Sequence, residues 1–194
     1  MKIALCGAHR TGKTTIAQSL AKHYGIDYVP SQASAVAARM GINLKGQISV
    51  ADRIAYQQAV MKTMVEDWTR DTPFITDRTP LDAAAYLLAD MANITGSNKE
   101  RRQVVSYVEK AQVLTGKLFD ILIYVPPAIE YHDEPGKPPF NEAYQEHHGF
   151  LVLGMFYDNE LATTYKLHID RKLADHSQRV GILRNEIDAI RSTL

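Results

Sequence analysis

The chain has 194 residues, 45% hydrophobic and 23% charged, with 22 basic and 22 acidic side chains and a formal net charge of zero. That is length enough for one domain, residues 1–194, with a sizeable core, and no net field draws it to nucleic acid or an anionic membrane surface. The lone Cys6 excludes an intramolecular disulfide, and no apolar run reaches the roughly 20 residues that a bilayer span requires.

In chain order, Ile3-Ala4-Leu5-Cys6 reads as a buried strand that starts almost at the first residue, so no signal peptide is expected and a reducing cytoplasm is the expected compartment. Gly7-Ala8-His9-Arg10-Thr11-Gly12-Lys13-Thr14 is a complete phosphate-loop pattern, and apolar residues at 16, 17, 20 and 21 predict a helix directly after it. In that context Gly7 and Gly12 let successive N–H groups of 8–14 face a polyphosphate, helped by the positive end of the helix. Lys13 is expected at the β- and γ-phosphates and the Thr14 hydroxyl at Mg²⁺, with His9, Arg10, Thr11 and Thr15 completing the nucleotide contact.

A short strand at 27–29 and a helix over 31–40 follow, and then a long helix from Ser49, as cap, to about Arg70. The apolar stripe of that helix (Ile54, Val60, Met61, Met64, Val65, Trp68) makes it the candidate face for a homodimer. Pro73–Thr76 is a third strand, and Thr79, Pro80 and Asp82 carry the signature of a helix start. A helix over 98–115 is expected to stop at Gly116. Phe119–Val125 is the clearest strand, and the proline-rich segment 126–140 is a candidate lid or substrate loop. A helix over about 141–160, a strand at 165–169 and a mostly helical 170–191 end the chain. Alternating strands and helices predict a three-layer α/β fold: a mainly parallel five-stranded sheet with helices on both faces and ligands at the carboxyl edge.

The motifs discriminate among phosphate-loop classes. Asn98-Lys99-Glu100-Arg101 has arginine where a guanine-reading carboxylate belongs, and no Asp-x-x-Gly element follows a strand, so a GTPase is set aside. Paired acids do not end the third strand, which demotes a mechanical ATPase. Asp77-Arg78 at a strand end suits a small-molecule kinase: Asp77 in the Mg²⁺ shell, Arg78 on an acceptor or transferring phosphate.

The loop from Gly7 to Thr15, Tyr28-Val29-Pro30, and Phe74-Ile75-Thr76-Asp77-Arg78-Thr79-Pro80-Leu81-Asp82 together resemble the phosphate-loop nucleoside and nucleotide kinases. They are most similar to the nicotinamide-riboside-kinase-like, AAA-type ATP-binding group, which includes phage-encoded members. Phe119–Pro127 and the final strand and helix continue the likeness. The resemblance implies ATP-dependent phosphorylation of a nucleoside-like acceptor, and by resemblance alone Arg179 stacks on adenine. Where that group has a Glu after the second strand, this chain reads Ser31-Gln32. An acceptor hydroxyl gains from a positioned base, whereas an acceptor phosphate needs neutralisation, so the departure favours slightly a nucleoside monophosphate, with Arg39 and Arg78 as clamps. A base supplied by Asp82 is the alternative.

In the candidate lid Lys137 is the expected phosphate contact, and Tyr86, on the helix that starts at the active edge, is the preferred pocket aromatic. Tyr56, Trp68, Tyr144, Phe150, Phe156 and Tyr157 are expected mainly in the core. His147 and His148 lack a zinc spacing and read as solvated residues near the acceptor. Two rivals stay open: a kinase acting on a hydroxymethylated base in DNA, and a nucleotide-dependent switch or ATPase with no small-molecule acceptor.

Overall fold

A computed structural model describes residues 1–43, 48–91, 96–129, 140–158, 161–162 and 165–193. Along these residues run β1 (Lys2–Cys6), α1 (Lys13–Tyr24), β2 (Asp27–Val29), α2 (Ala33–Arg39), α3 (Val50–Trp68) and β3 (Phe74–Thr76). They are followed by α4 (Pro80–Met91), α5 (Asn98–Leu118), β4 (Ile121–Tyr124), α6 (Glu142–Tyr157), β5 (Tyr165–His168) and α7 (His176–Arg191). The strands form one five-stranded sheet in the order β2-β3-β1-β4-β5, and every pair is parallel. β1 therefore lies at the centre, with the chain passing from β3 across it to β4. The carboxyl ends of β1 and β3 flank the switch point at which such sheets bind ligands.

The period-2 alternation of the strands divides the core between the two faces of the sheet. Ala4, Cys6, Phe74, Leu122 and Tyr124 pack under α3 to α6, whereas Ile3, Leu5, Ile75, Ile121 and Ile123 pack under α1 and α7. Helix starts are fixed locally: Ser49 accepts a hydrogen bond from the Asp52 N–H, Asp175 from the Gln178 N–H, and Ser97 and Glu100 form a capping box.

Three expectations are corrected. α5 does not stop at Gly116 but runs through it to Leu118, because glycine is needed there for close approach rather than for a turn. A Cβ at 116 would sit 3.2 Å from the backbone nitrogen of Ala162. The stripe of α3 is used inside the domain, where Ile54, Val60, Met61, Met64 and Trp68 are buried in the core, so it offers no dimer face. Phe150 and Tyr157, expected in the core, are 64% and 57% exposed on α6. Among the described residues no helix is long and apolar enough to cross a membrane.

Candidate active site at the carboxyl edge of the sheet

A cleft of roughly 1480 Å³ opens at the carboxyl ends of β1 and β3, with the phosphate loop as its floor. Loop geometry explains the glycines. Gly7 has φ +134° and Gly12 φ +86°, both in the left-handed region, and a Cβ on Gly7 would meet the Val125 carbonyl oxygen at 2.4 Å. Arg10 also takes a positive φ, 61°, a conformation uncommon for a non-glycine residue and of the kind that gathers where backbone is shaped for a ligand.

Three distant side chains hold this loop. The Asp82 carboxylate accepts from the Gly7 N–H at 3.0 Å, the Gln145 amide donates to the His9 carbonyl at 2.8 Å, and Arg179 donates to the Thr11 carbonyl at 2.8 Å. α4, α6 and α7 thus converge on one loop, each through a single polar side chain.

Lys13 is buried, and its ammonium donates to the Gly7 and Ala8 carbonyls and, at 3.4 Å, to the Thr11 hydroxyl. Burial, reinforced by the charge of Arg78, pushes its pKa down to about 7. The hydroxyl of Thr14, the next residue, donates to Asp77 Oδ2, which brings the two expected metal ligands together. Asp77 is only 6% exposed, and its Oδ1 has no hydrogen-bond partner. An orphaned buried carboxylate oxygen beside a hydroxyl fits Mg²⁺, which takes one or two protein oxygens and completes its shell with water and phosphate. Tyr28 stands behind this pair; burial and then the Asp77 charge raise the pKa of its phenol.

Arg78 follows Asp77 out of β3, with its guanidinium 5.5 Å from the Tyr86 ring centroid and 3.7 Å from Asp82 Oδ1. Burial opposes its charge, but Tyr86, Asp82 and Asp77 hold it protonated. Asp82 is not placed as an acceptor base. It is 1% exposed, and its oxygens accept from the Gly7 N–H and from the Thr79 N–H and hydroxyl, so it caps α4 and ties that helix to the loop.

Opposite the loop the cleft is lined by α3 and α4, with Arg53, Tyr56 and Gln57 facing Tyr86 and Asp90. Arg53 pairs with Asp90 Oδ2, and the Tyr144 hydroxyl donates to Asp90 Oδ1 at 2.9 Å. None of Arg53, Gln57, Asp90 and Tyr144 was singled out from the sequence as a site residue. The available signal was the interruption of the apolar stripe of α3 by Arg53 and Gln57. His148, read as solvated, is fully buried, because it continues the inward spacing of Gln145, Val152 and Phe156 on α6. Its ring lies 4.0 Å from that of Tyr86, and burial lowers its pKa well below the usual value.

Gly12, Thr14 and Thr15 border the cleft together with His9 and Arg10, as expected of the nucleotide side. Two other expectations are corrected. Arg39 is exposed at the end of α2 and donates to the Thr63 hydroxyl at 3.2 Å, and it does not line the cleft. Arg179, expected to stack on adenine, directs its N–H groups to backbone carbonyls instead. Lys137, with most of the segment 126–140, lies outside the described residues.

Solved structures of similar fold include a deoxyadenosine kinase and a Bacillus subtilis protein. Deoxyadenosine kinase from M. mycoides, with dCMP and dCDP bound, superposes with a TM-score of 0.72 at 18% identity, covering 98% of this chain and 100% of that one. The same kinase with dATP gives 0.66 at 19% identity over 97% and 100%. The YorR protein from Bacillus subtilis, in complex with phosphorylated GDP, gives 0.56 at 10% identity over 99% and 98%. At such identities the likeness is one of fold. No curated protein matches the sequence. The AAA domain family model matches residues 2–150, more than half of the chain and all of the phosphate-loop side of the cleft, and the chain belongs to that family.

Proposed function

We propose that the protein is a kinase that moves the γ-phosphoryl group of ATP, with Mg²⁺, to a nucleoside or nucleoside monophosphate. The observation that carries this is the division of one cleft into two halves: a phosphate loop with Lys13 and the Thr14–Asp77 pair on one side, and a polar and aromatic wall of Tyr56, Gln57, Tyr86 and the Arg53–Asp90 pair on the other. A switch or plain ATPase has no use for the second half. The deoxynucleotides in the similar folds support an acceptor of the same class.

In this reading an acceptor oxygen attacks the γ-phosphorus, the bond to the bridging oxygen breaks and ADP leaves. Loop amides and Lys13 hold the phosphates. When bound, Mg²⁺ would supply charge neutralisation to the phosphates, and Thr14 and Asp77 are the residues that would hold it. Arg78, at the boundary of the two halves, neutralises the group in flight. Positioning and electrostatics supply most of the acceleration in such transfers. With Arg39 outside the cleft, Arg78 is the clamp that an acceptor phosphate meets, and no carboxylate follows β2 to serve a hydroxyl acceptor.

The test is ADP release from Mg-ATP against nucleosides, 5′-monophosphates, nicotinamide riboside and base-modified duplex DNA. Stimulation at least tenfold by one soluble acceptor, lost in Arg78→Ala, is the expected result. ATP turnover that no acceptor accelerates overturns the kinase reading, and acceleration by DNA alone transfers the activity to a DNA-borne base.

A further inference from the structure

Arg179 is among the largest fully buried side chains of the molecule, at 1% exposure. Its Nε donates to the Leu173 carbonyl at 2.5 Å, Nη1 to the Thr11 carbonyl at 2.8 Å and Nη2 to the Pro126 carbonyl at 3.3 Å. These acceptors come from three segments: the phosphate loop, the end of β4 and the turn before α7. Carbonyls satisfy the N–H groups but leave the positive charge uncancelled, and among the described residues no carboxylate pairs with this guanidinium. Buried charges are ordinarily paired, because removal from water is costly. Among the described residues, then, no anion accompanies the cation held under the phosphate loop. The guanidinium reaches the loop itself: Nη1 would lie 3.9 Å from a Cβ on Gly12, the residue immediately before α1.

We propose that the missing counter-charge is the polyphosphate of the bound nucleotide, so that Arg179 is a positioning residue whose charge, acting through the loop, sets affinity for phosphate anions. The inference rests on the reading of Gly7–Thr14 as a nucleotide site and goes beyond it. It assigns electrostatic work to a side chain on the far side of the loop, and it makes the ligand a partner in the stability of the fold. Hydrogen bonds alone would make Arg179 a brace, indifferent to the charge of what the loop holds. A guanidinium whose counterion is the ligand makes the loop's preference depend on ligand charge.

Arg179→Gln removes the charge and keeps donors, whereas Arg179→Lys keeps the charge and loses most of them. Titration calorimetry with Mg-ADP and with AMP, together with melting of the free protein, separates the two roles. Arg179→Gln is expected to bind Mg-ADP at least tenfold more weakly and AMP less than threefold more weakly, with a free-protein Tm unchanged or raised. Arg179→Lys is expected to stay within threefold of wild type for both. Equal losses for Mg-ADP and AMP in Arg179→Gln overturn the proposal in favour of a brace. So does a tenfold loss in Arg179→Lys, which decides the matter even if the glutamine variant does not fold. Wild-type protein that binds neither Mg-ADP nor inorganic tripolyphosphate removes the nucleotide site, and this inference with it.

Discussion

Lys13 illustrates how far a single side chain departs from its solution chemistry in this fold. Held at the Gly7 and Ala8 carbonyls and cut off from water, its ammonium is disfavoured by burial, which pushes the pKa down from 10.5 to about 7. Above that pH the free protein carries a neutral amine, whereas a polyphosphate favours the ammonium. Binding therefore takes up a proton, and affinity falls as pH rises. Between pH 7.5 and 9, Mg-ATP affinity should drop toward tenfold per pH unit, with proton uptake visible in calorimetry across buffers of different ionisation enthalpy. Lys13→Met should bind weakly and show no such uptake. Asp77 carries the opposite kind of burden, a buried carboxylate with one oxygen unpartnered. Asp77→Asn should lower turnover by ~10²-fold or more while relieving that cost. The free protein should then gain about 1 kcal/mol, read as a rise of about 2–4 °C in Tm. A variant both slower and less stable would show that Asp77 acts as a structural cap and has no part in holding the metal.

Elements place these residues, and at this scale the sequence was informative unevenly. β1, the loop and α1 were legible because a short apolar run, two glycines and a 3.6-residue period coincide within 24 residues. Asp77 was legible for the same reason, since β3 ends immediately before it. The far wall of the cleft was not, because Arg53, Asp90 and Tyr144 come together only when α3, α4 and α6 pack, and no local pattern encodes that meeting. Arg39 was misplaced by the same lack of tertiary information. Gly116 shows the limit of reading glycine as punctuation. In mid-helix, replacing glycine with alanine gains up to ~1 kcal/mol where space is open. Gly154 on α6 meets nothing within 4 Å, so Gly154→Ala should raise Tm by about 2–4 °C. Gly116→Ala gains the same propensity but forces its methyl group against the Ala162 backbone at 3.2 Å, and should leave Tm unchanged or lower it. Thermal melts of the two variants side by side check this; equal gains would show that the α5 contact is loose.

For the molecule as a whole, the sheet separates two apolar cores and brings the polar residues that neither can absorb to one edge. Lys13, Arg53 and Arg78 are balanced there by Asp77, Asp82 and Asp90, as 22 basic side chains are balanced by 22 acidic ones overall. A chain of zero net charge gains little from long-range steering, so its affinity for a polyanion has to come from groups fixed around the loop. Those groups are held in the free protein at a cost: Lys13 desolvated, Asp77 half-partnered, and Arg179 bonded to carbonyls with no carboxylate partner among the described residues. A ligand that meets all three relieves strain in the fold as well as making contacts. Linkage gives the lower bound of the effect: at about 100 times Kd a ligand that binds only the native state stabilises it by ~2.7 kcal/mol, or about 5–10 °C for a chain of this size. Mg-ADP should therefore raise Tm by at least that range at saturation, and the shift should vanish in Lys13→Ala, whose free protein should melt no lower than wild type because a buried, desolvated ammonium has been removed. A wild-type Tm that Mg-ADP leaves unmoved would mean that the loop geometry is not a nucleotide site in this molecule.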